Sequence, residues 1–281
     1  MKKVKLLCLL IICIGCGTIA HAQKATPVPS SELMWSEAEE KINTLVTNAK
    51  SVRNYQWGNR GPAPLGYLKG MAMSYAMSHY AILTNQDTAI REMTKVLGDA
   101  KSDALALYGL KPATNKDRLR AAYTLAIGLG MRESTGNTTE GWDKGKTKYG
   151  IVNTEANAEA GLFQFSWDSR NKSPWLLKLY EQYQLLGSER CMQDIFLEGV
   201  KNKNVKEEGT GDGAKFQKFT KECPAFAAEY VIIMLRANRS HFGPINNFHK
   251  KPSESAEYRQ EVETLLKQVE KIADLVRQFS P

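Results

Sequence analysis

Between residues 119 and 130 the apolar side chains fall at Leu119, Ala122, Tyr123, Ala126, Ile127 and Gly130. That three-and-four spacing is the period of a helix that buries one face. A second stripe at Val262, Leu265, Leu266, Val269, Ile272 and Val276 repeats the pattern near the C-terminus. A chain with such stripes is directed toward helix-on-helix packing. Further helices are expected at 67–83, around 99–109, at 174–186, 189–200 and 224–239. Ser36 reads as an N-cap for "EAEEKINTLVTNAK", with Glu39 completing a capping box. The methionines of "YLKGMAMSYAMSHYAIL" read as core filler. Strand-like alternation is confined to "KYGIVN" and "GLFQF". The expected fold class is therefore mainly α: a single helical domain with a loop-rich middle and at most a short β-hairpin.

The first 22 residues follow another logic. A basic head, "MKKVK", precedes the apolar run "LLCLLIICIGCGTIA", and "AHA" before Gln23 fits a small-residue cleavage site. This is the pattern of a secretory signal peptide, and the run is shorter than the roughly 20 residues a spanning helix needs. Export with cleavage near Ala22 is expected; a lipid anchor on Cys16 is the less favoured reading, because Cys13 stands where such signals carry Leu. Residues 23–34 read as a mobile leader and 35–281 as the domain, with its functional core at about 116–245.

Loss of Lys2, Lys3 and Lys5 with the signal takes the net charge from +8 to +5. That modest excess suits an anionic polymer and gives no reason to expect nucleic acid. Hydrophobic content of 42% and charged content of 24% argue against a disordered or fibrous chain. Cys8, Cys13 and Cys16 also leave, so Cys191 and Cys223 remain as a pair in an oxidising compartment, and a disulfide between them is expected. The histidines have no zinc-like spacing, and no metal or cofactor is expected.

The stripe from Leu119 continues past Gly130 to Glu133, in "GMRESTGNTTEGWD". Glu133 therefore extends the inward face. A carboxyl group at the buried end of an apolar stripe is desolvated, which favours its neutral form and suits a general acid. The competing reading is a frayed helix end with its acid in water.

"RESTGN" followed by "EAGLFQFSWDS" resembles the lysozyme-like superfamily, in particular lytic transglycosylases and goose-type lysozymes. Those families place a Glu-Ser pair at the end of a core helix and a Gly-Leu-Met-Gln motif after a loop. The matching residues here are Glu133 and Ser134 with Gly136, then Gly161, Leu162, Phe163 and Gln164. "EGWDKG" resembles the Gly-Trp-Gly-Asp stretch of goose-type enzymes and maps an assisting carboxylate onto Asp143. The resemblance covers residues 116–170. It departs from those families in three places: Phe163 replaces Met, Phe165-Ser166 stands where goose-type enzymes have Val-Asp, and Tyr230 is followed by "VIIML" rather than a Tyr-Asn-Ala-Gly motif. "GLFQFSWDSRN" is also similar to a loop of family 19 chitinases, which share the core.

The resemblance implies a lysozyme-like domain that cuts the β-1,4 bond between N-acetylmuramic acid and N-acetylglucosamine, with Glu133 as general acid. Ser134, Gly161, Leu162, Phe163 and Gln164 would contact the glycan. Trp142, Tyr149 and Trp167 are candidates to stack on sugar faces, with core packing as the alternative for each. A hydrolase needs a second carboxylate, for which Asp143, Glu155, Glu159 and Asp168 are candidates. A lytic transglycosylase needs only Glu133. A chitinase- or chitosanase-like hydrolase and an inactive wall-binding protein are the alternative functions. The expected partner is peptidoglycan or a related amino-sugar polymer, bound by a monomer. "SHFGPIN" (240–246) is expected to line the cleft and "EEGTGDG" (207–213) to form a surface loop.

Overall fold

The computed structural model describes residues 31–84, 88–97, 103–141, 154–200, 206–246 and 256–279. The expected signal peptide, most of the expected leader and the "KYGIVN" segment lie outside them. Among the described residues the protein is mainly helical and has no strand. In chain order the helices are α1 (Ser31–Asn48), α2 (Lys50–Arg53), α3 (Leu65–Thr84), α4 (Thr88–Met93), α5 (Ala104–Leu107) and α6 (Asn115–Ser134). They continue as α7 (Pro174–Leu186), α8 (Gln193–Phe196), α9 (Asp212–Glu222), α10 (Pro224–Ala237), α11 (Gly243–Asn246) and α12 (Gln260–Phe279). None is long and apolar enough to cross a membrane.

The middle of the molecule is α6. Every residue from Leu119 to Met131 is buried, so the stripe has widened into a helix enclosed on all sides by α3, α10 and α12. A capping box starts it: the Thr114 hydroxyl accepts the Asp117 N–H, and the Asp117 carboxylate accepts the Thr114 N–H. Arg120 is the charge buried on this helix. It reaches α12 through Glu270 (2.6 Å) and Glu263 (3.3 Å), and also pairs with Asp117. A further buried ion pair, Arg236 with Asp103, ties α10 to the cap of α5.

Several expectations need correction. Helix α1 starts at Ser31, within the expected leader, and Ser36 lies inside it rather than capping it. The reason is packing: Met34, Ala38, Ile42 and Val46 form a buried i, i+4 row, and Met34 and Ala38 cluster with Val276 of α12. The helix expected at 189–200 is broken. A 3₁₀ turn, Ser188–Cys191, and α8 are separated by Met192 in left-handed backbone (φ 53°). Cys191 must meet Cys223 while Phe196 packs over Gly70 of α3, and one straight helix would point them in different directions. Around 99–109 the described helix is only α5, and α4 and α9 were not expected.

The Cys191–Cys223 disulfide is present and joins the 3₁₀ turn to the α9–α10 junction, with 4.3 Å between the Cα atoms. "GLFQF" is not a hairpin. Ala160 and Phe165 exchange two backbone hydrogen bonds (2.9 and 3.1 Å) across a tight turn.

Candidate active site

Helix α6 stops abruptly after Ser134. Thr135 and Gly136 both take left-handed backbone (φ 62° and 71°), and their N–H groups return to the carbonyls of Met131 (3.1 Å) and Gly130 (3.2 Å). A β-branched residue rarely adopts that conformation, so the stop is a strained one beside Glu133. Ser134 is buried within it. Its hydroxyl donates to the Gly130 carbonyl (3.1 Å) and accepts the Asn137 N–H (3.1 Å). The serine of the pair thus holds the helix end.

The turn at 161–165 closes against the same end. Leu162, Phe163 and Phe165 are fully buried. Phe163 packs over Gly130, one turn below Glu133; a Cβ at Gly130 would lie 3.0 Å from the Phe163 ring and 2.4 Å from the Tyr67 hydroxyl. Glycine at 130 is what lets these two rings approach the helix. The Gly161 N–H donates to the Glu140 carbonyl (2.9 Å), fastening the turn to the segment that follows α6. Gln164 is half-buried with φ 52°, and its Nε2 donates to the Gly161 carbonyl (2.9 Å). From below, the Tyr230 ring lies 4.6 Å from Phe165, and its hydroxyl is 2.7 Å from that of Ser169.

Glu133 itself is half-buried. Burial is the main reason its carboxyl is pushed up from 4.5 to about 7, and the negative charge of Glu159 adds to the shift. Arg60 and Arg132 oppose it without cancelling it. Near neutral pH the end of α6 therefore presents a carboxylic acid able to donate a proton.

The other candidates separate. Asp143, Trp142 and Tyr149 lie outside the described residues. Glu155 is engaged: its Oε2 accepts the N–H groups of Thr210 (3.1 Å) and Gly211 (2.6 Å), so residues 207–211 form a loop wrapped on this carboxylate, whereas Asp212 and Gly213 of the expected loop already belong to α9. Asp168 is exposed and lies 3.8 Å from Arg170. Glu159 is exposed and near enough to be felt by Glu133. Trp167 is half-buried, with Arg170 over its ring (3.8 Å) and Tyr180 and Phe216 beside it (5.7 and 5.6 Å). In 240–246, Phe242 is buried 6.1 Å from Phe165, which brings this segment against the "GLFQF" turn.

Sequence reasoning missed the cationic side of the site. Arg132 donates from Nη1 to Asn59 Oδ1 (3.0 Å), drawing the "WGNRG" turn to the helix end. No spacing rule links residue 60 to residue 133, although the turn itself was legible. Among the described residues, grooves line α1 elsewhere, one of about 680 Å³ between Trp35, Met73, Met77 and Met192, and Glu133 does not line them. No family model, curated protein or solved structure matches the chain.

Proposed function

We propose that the protein is an exported glycosidase that cuts the β-1,4 bond between N-acetylmuramic acid and N-acetylglucosamine, as a lytic transglycosylase with Glu133 as its acid. The observation that carries this reading is Glu133 held neutral up to about pH 7 at a helix end closed by the 161–165 turn. Glycoside cleavage needs such an acid to protonate the leaving oxygen as the C1–O bond breaks. The resulting carboxylate then accepts the proton of the muramic acid C6 hydroxyl as that oxygen bonds to C1. One residue serves both halves, and no water is consumed. Of the candidate second carboxylates, Glu155 is engaged by backbone N–H groups, which takes it out of a water-activating role, while Glu159, felt by Glu133, is the one a hydrolytic route would use.

The test is mass spectrometry of soluble fragments from purified sacculi incubated with residues 23–281 or with the Glu133→Gln variant. Anhydromuramyl ends, absent with the variant, are expected. Reducing-end muramic acid would replace the transglycosylase route by hydrolysis. Cleavage of chitin oligomers in place of sacculi would move the substrate, and no fragments from either polymer would refute the enzymatic reading.

A further inference from the structure

We propose that the groove between α1, α3 and the 188–195 segment is a docking surface for a basic amphipathic helix of another protein. The inference does not depend on the reading of Glu133.

Three stretches of sequence build the groove. Trp35 and Glu39 are one helical turn apart on α1 and share a face, as Met73 and Met77 do on α3. The other wall comes from the broken segment: left-handed Met192 ends the 3₁₀ turn and starts α8, and both Met192 and Ile195 line the groove. The floor, about 680 Å³ of space above it, is therefore apolar. Trp35 is held edge-on against Tyr80 (5.4 Å), and Met77 Sδ accepts Arg190 Nη1 at 3.5 Å. Three thioethers make an adaptable surface, suited to seating the apolar side chains of a peptide. At the end of α7, Leu185 (89% exposed) and Leu186 (50%) come just before Gly187 and the wall residue Ser188, so apolar surface continues past the groove.

The rim carries one sign of charge. Glu39, Glu189 and Asp194 line the groove, and no lysine or arginine does. Among the described residues none of these three acids makes an ion pair. Arg190 is turned inward, 3.7 Å from Glu229. Lys69, in the polar groove that adjoins at Ser36 and Glu39, is tied to Glu198 at 2.6 Å. The chain as a whole carries a net +8, so it repels a basic peptide everywhere except at a patch such as this one. An apolar floor with an acidic rim fits a helix that places large apolar anchors at i, i+3 or i+4, and i+7, with lysine or arginine beside them. The same rim repels anionic lipid headgroups, which favours a protein partner over a membrane.

The experiment uses residues 23–281 and a labelled probe helix of leucine and lysine, about 14 residues long, with its leucines on one face. One control probe replaces its lysines by glutamate, and another scrambles the order so that no apolar face forms. Fluorescence anisotropy should show binding of the basic amphipathic probe alone, weakened by salt. Glu39→Gln, Glu189→Gln and Asp194→Asn combined should weaken it about tenfold or more, with thermal melts unchanged because the rim bears no packing. Tryptophan emission should shift to the blue on binding, and Trp35→Phe should remove that shift. Equal binding of the glutamate or scrambled probe, no loss in the rim variant, a blue shift that survives Trp35→Phe, or no binding at all would overturn the proposal. Tighter binding to phosphatidylglycerol vesicles than to the probe would replace the protein partner by a membrane. Self-association in sedimentation, abolished by Met77→Glu in a chain that still melts cooperatively, would assign the groove to a second copy and overturn it equally.

Discussion

Glu133 is where the stability of the fold and the proposed chemistry pull in opposite directions. Its folded pKa of about 7 lies above the unfolded value of 4.5, so the folded state binds the proton more tightly. Its contribution is fully present below about pH 4.5 and is lost as pH rises through 7. Glu133→Gln should therefore leave stability unchanged at pH 4. At pH 8 it should raise stability by about 1–3 kcal/mol, the range allowing for partial exposure, as read by denaturant titration at both pH values. The same substitution should lower cleavage by at least about 100-fold, and wild-type activity should fall on an alkaline limb near pH 7. The inward position of Glu133 was legible from the helical period alone. Its cationic neighbours were not, because Arg60 reaches it through a turn packed from far along the chain.

At the scale of elements, the account depends on how the 161–165 turn seats on α6. A Cβ at Gly130 meets Tyr67 and Phe163, so Gly130→Ala should cost about 1–3 kcal/mol and shift the turn, lowering kcat. Gly128→Ala is the control. Its Cβ would meet the Glu257 carbonyl at 2.3 Å instead, so it should destabilise with much less effect on kcat. Thermal melts and steady-state rates on the two variants separate these outcomes. The long helices α3, α6, α7, α10 and α12 were legible because each keeps an apolar stripe or an unbroken apolar run. Helix α9 carried a signal that went unread: Phe216, Thr220 and Cys223 share its buried face, but lysines between them dilute the pattern. The break at Met192 was invisible because it arises from two tertiary demands, the disulfide at Cys191 and the docking of Phe196. Likewise, nothing local shows that "EEGTGDG" is wrapped on a carboxylate more than fifty residues away.

Over the whole molecule, one apolar core runs from Ile42 of α1 to Ala273 of α12, and the disulfide crosses it near α10. The bond closes a 32-residue separation, for which the chain-entropy argument gives about 3–4 kcal/mol. Replacing both cysteines by serine should lower Tm by about 6–12 °C, with activity at 25 °C largely kept, since neither residue approaches Glu133 through any contact described above. An unchanged Tm would mean that the core alone fixes the α9–α10 junction. The central claim is that this core delivers a neutral carboxylic acid to the end of α6. The measurement that bears on it most directly is a carbon-13 NMR titration of the Glu133 side-chain carboxyl, assigned by comparison with Glu133→Gln. A midpoint near pH 7, falling when Glu159 is replaced by Gln, is the predicted result. A midpoint near 4.5, the ordinary value for a solvated glutamate, would contradict the account.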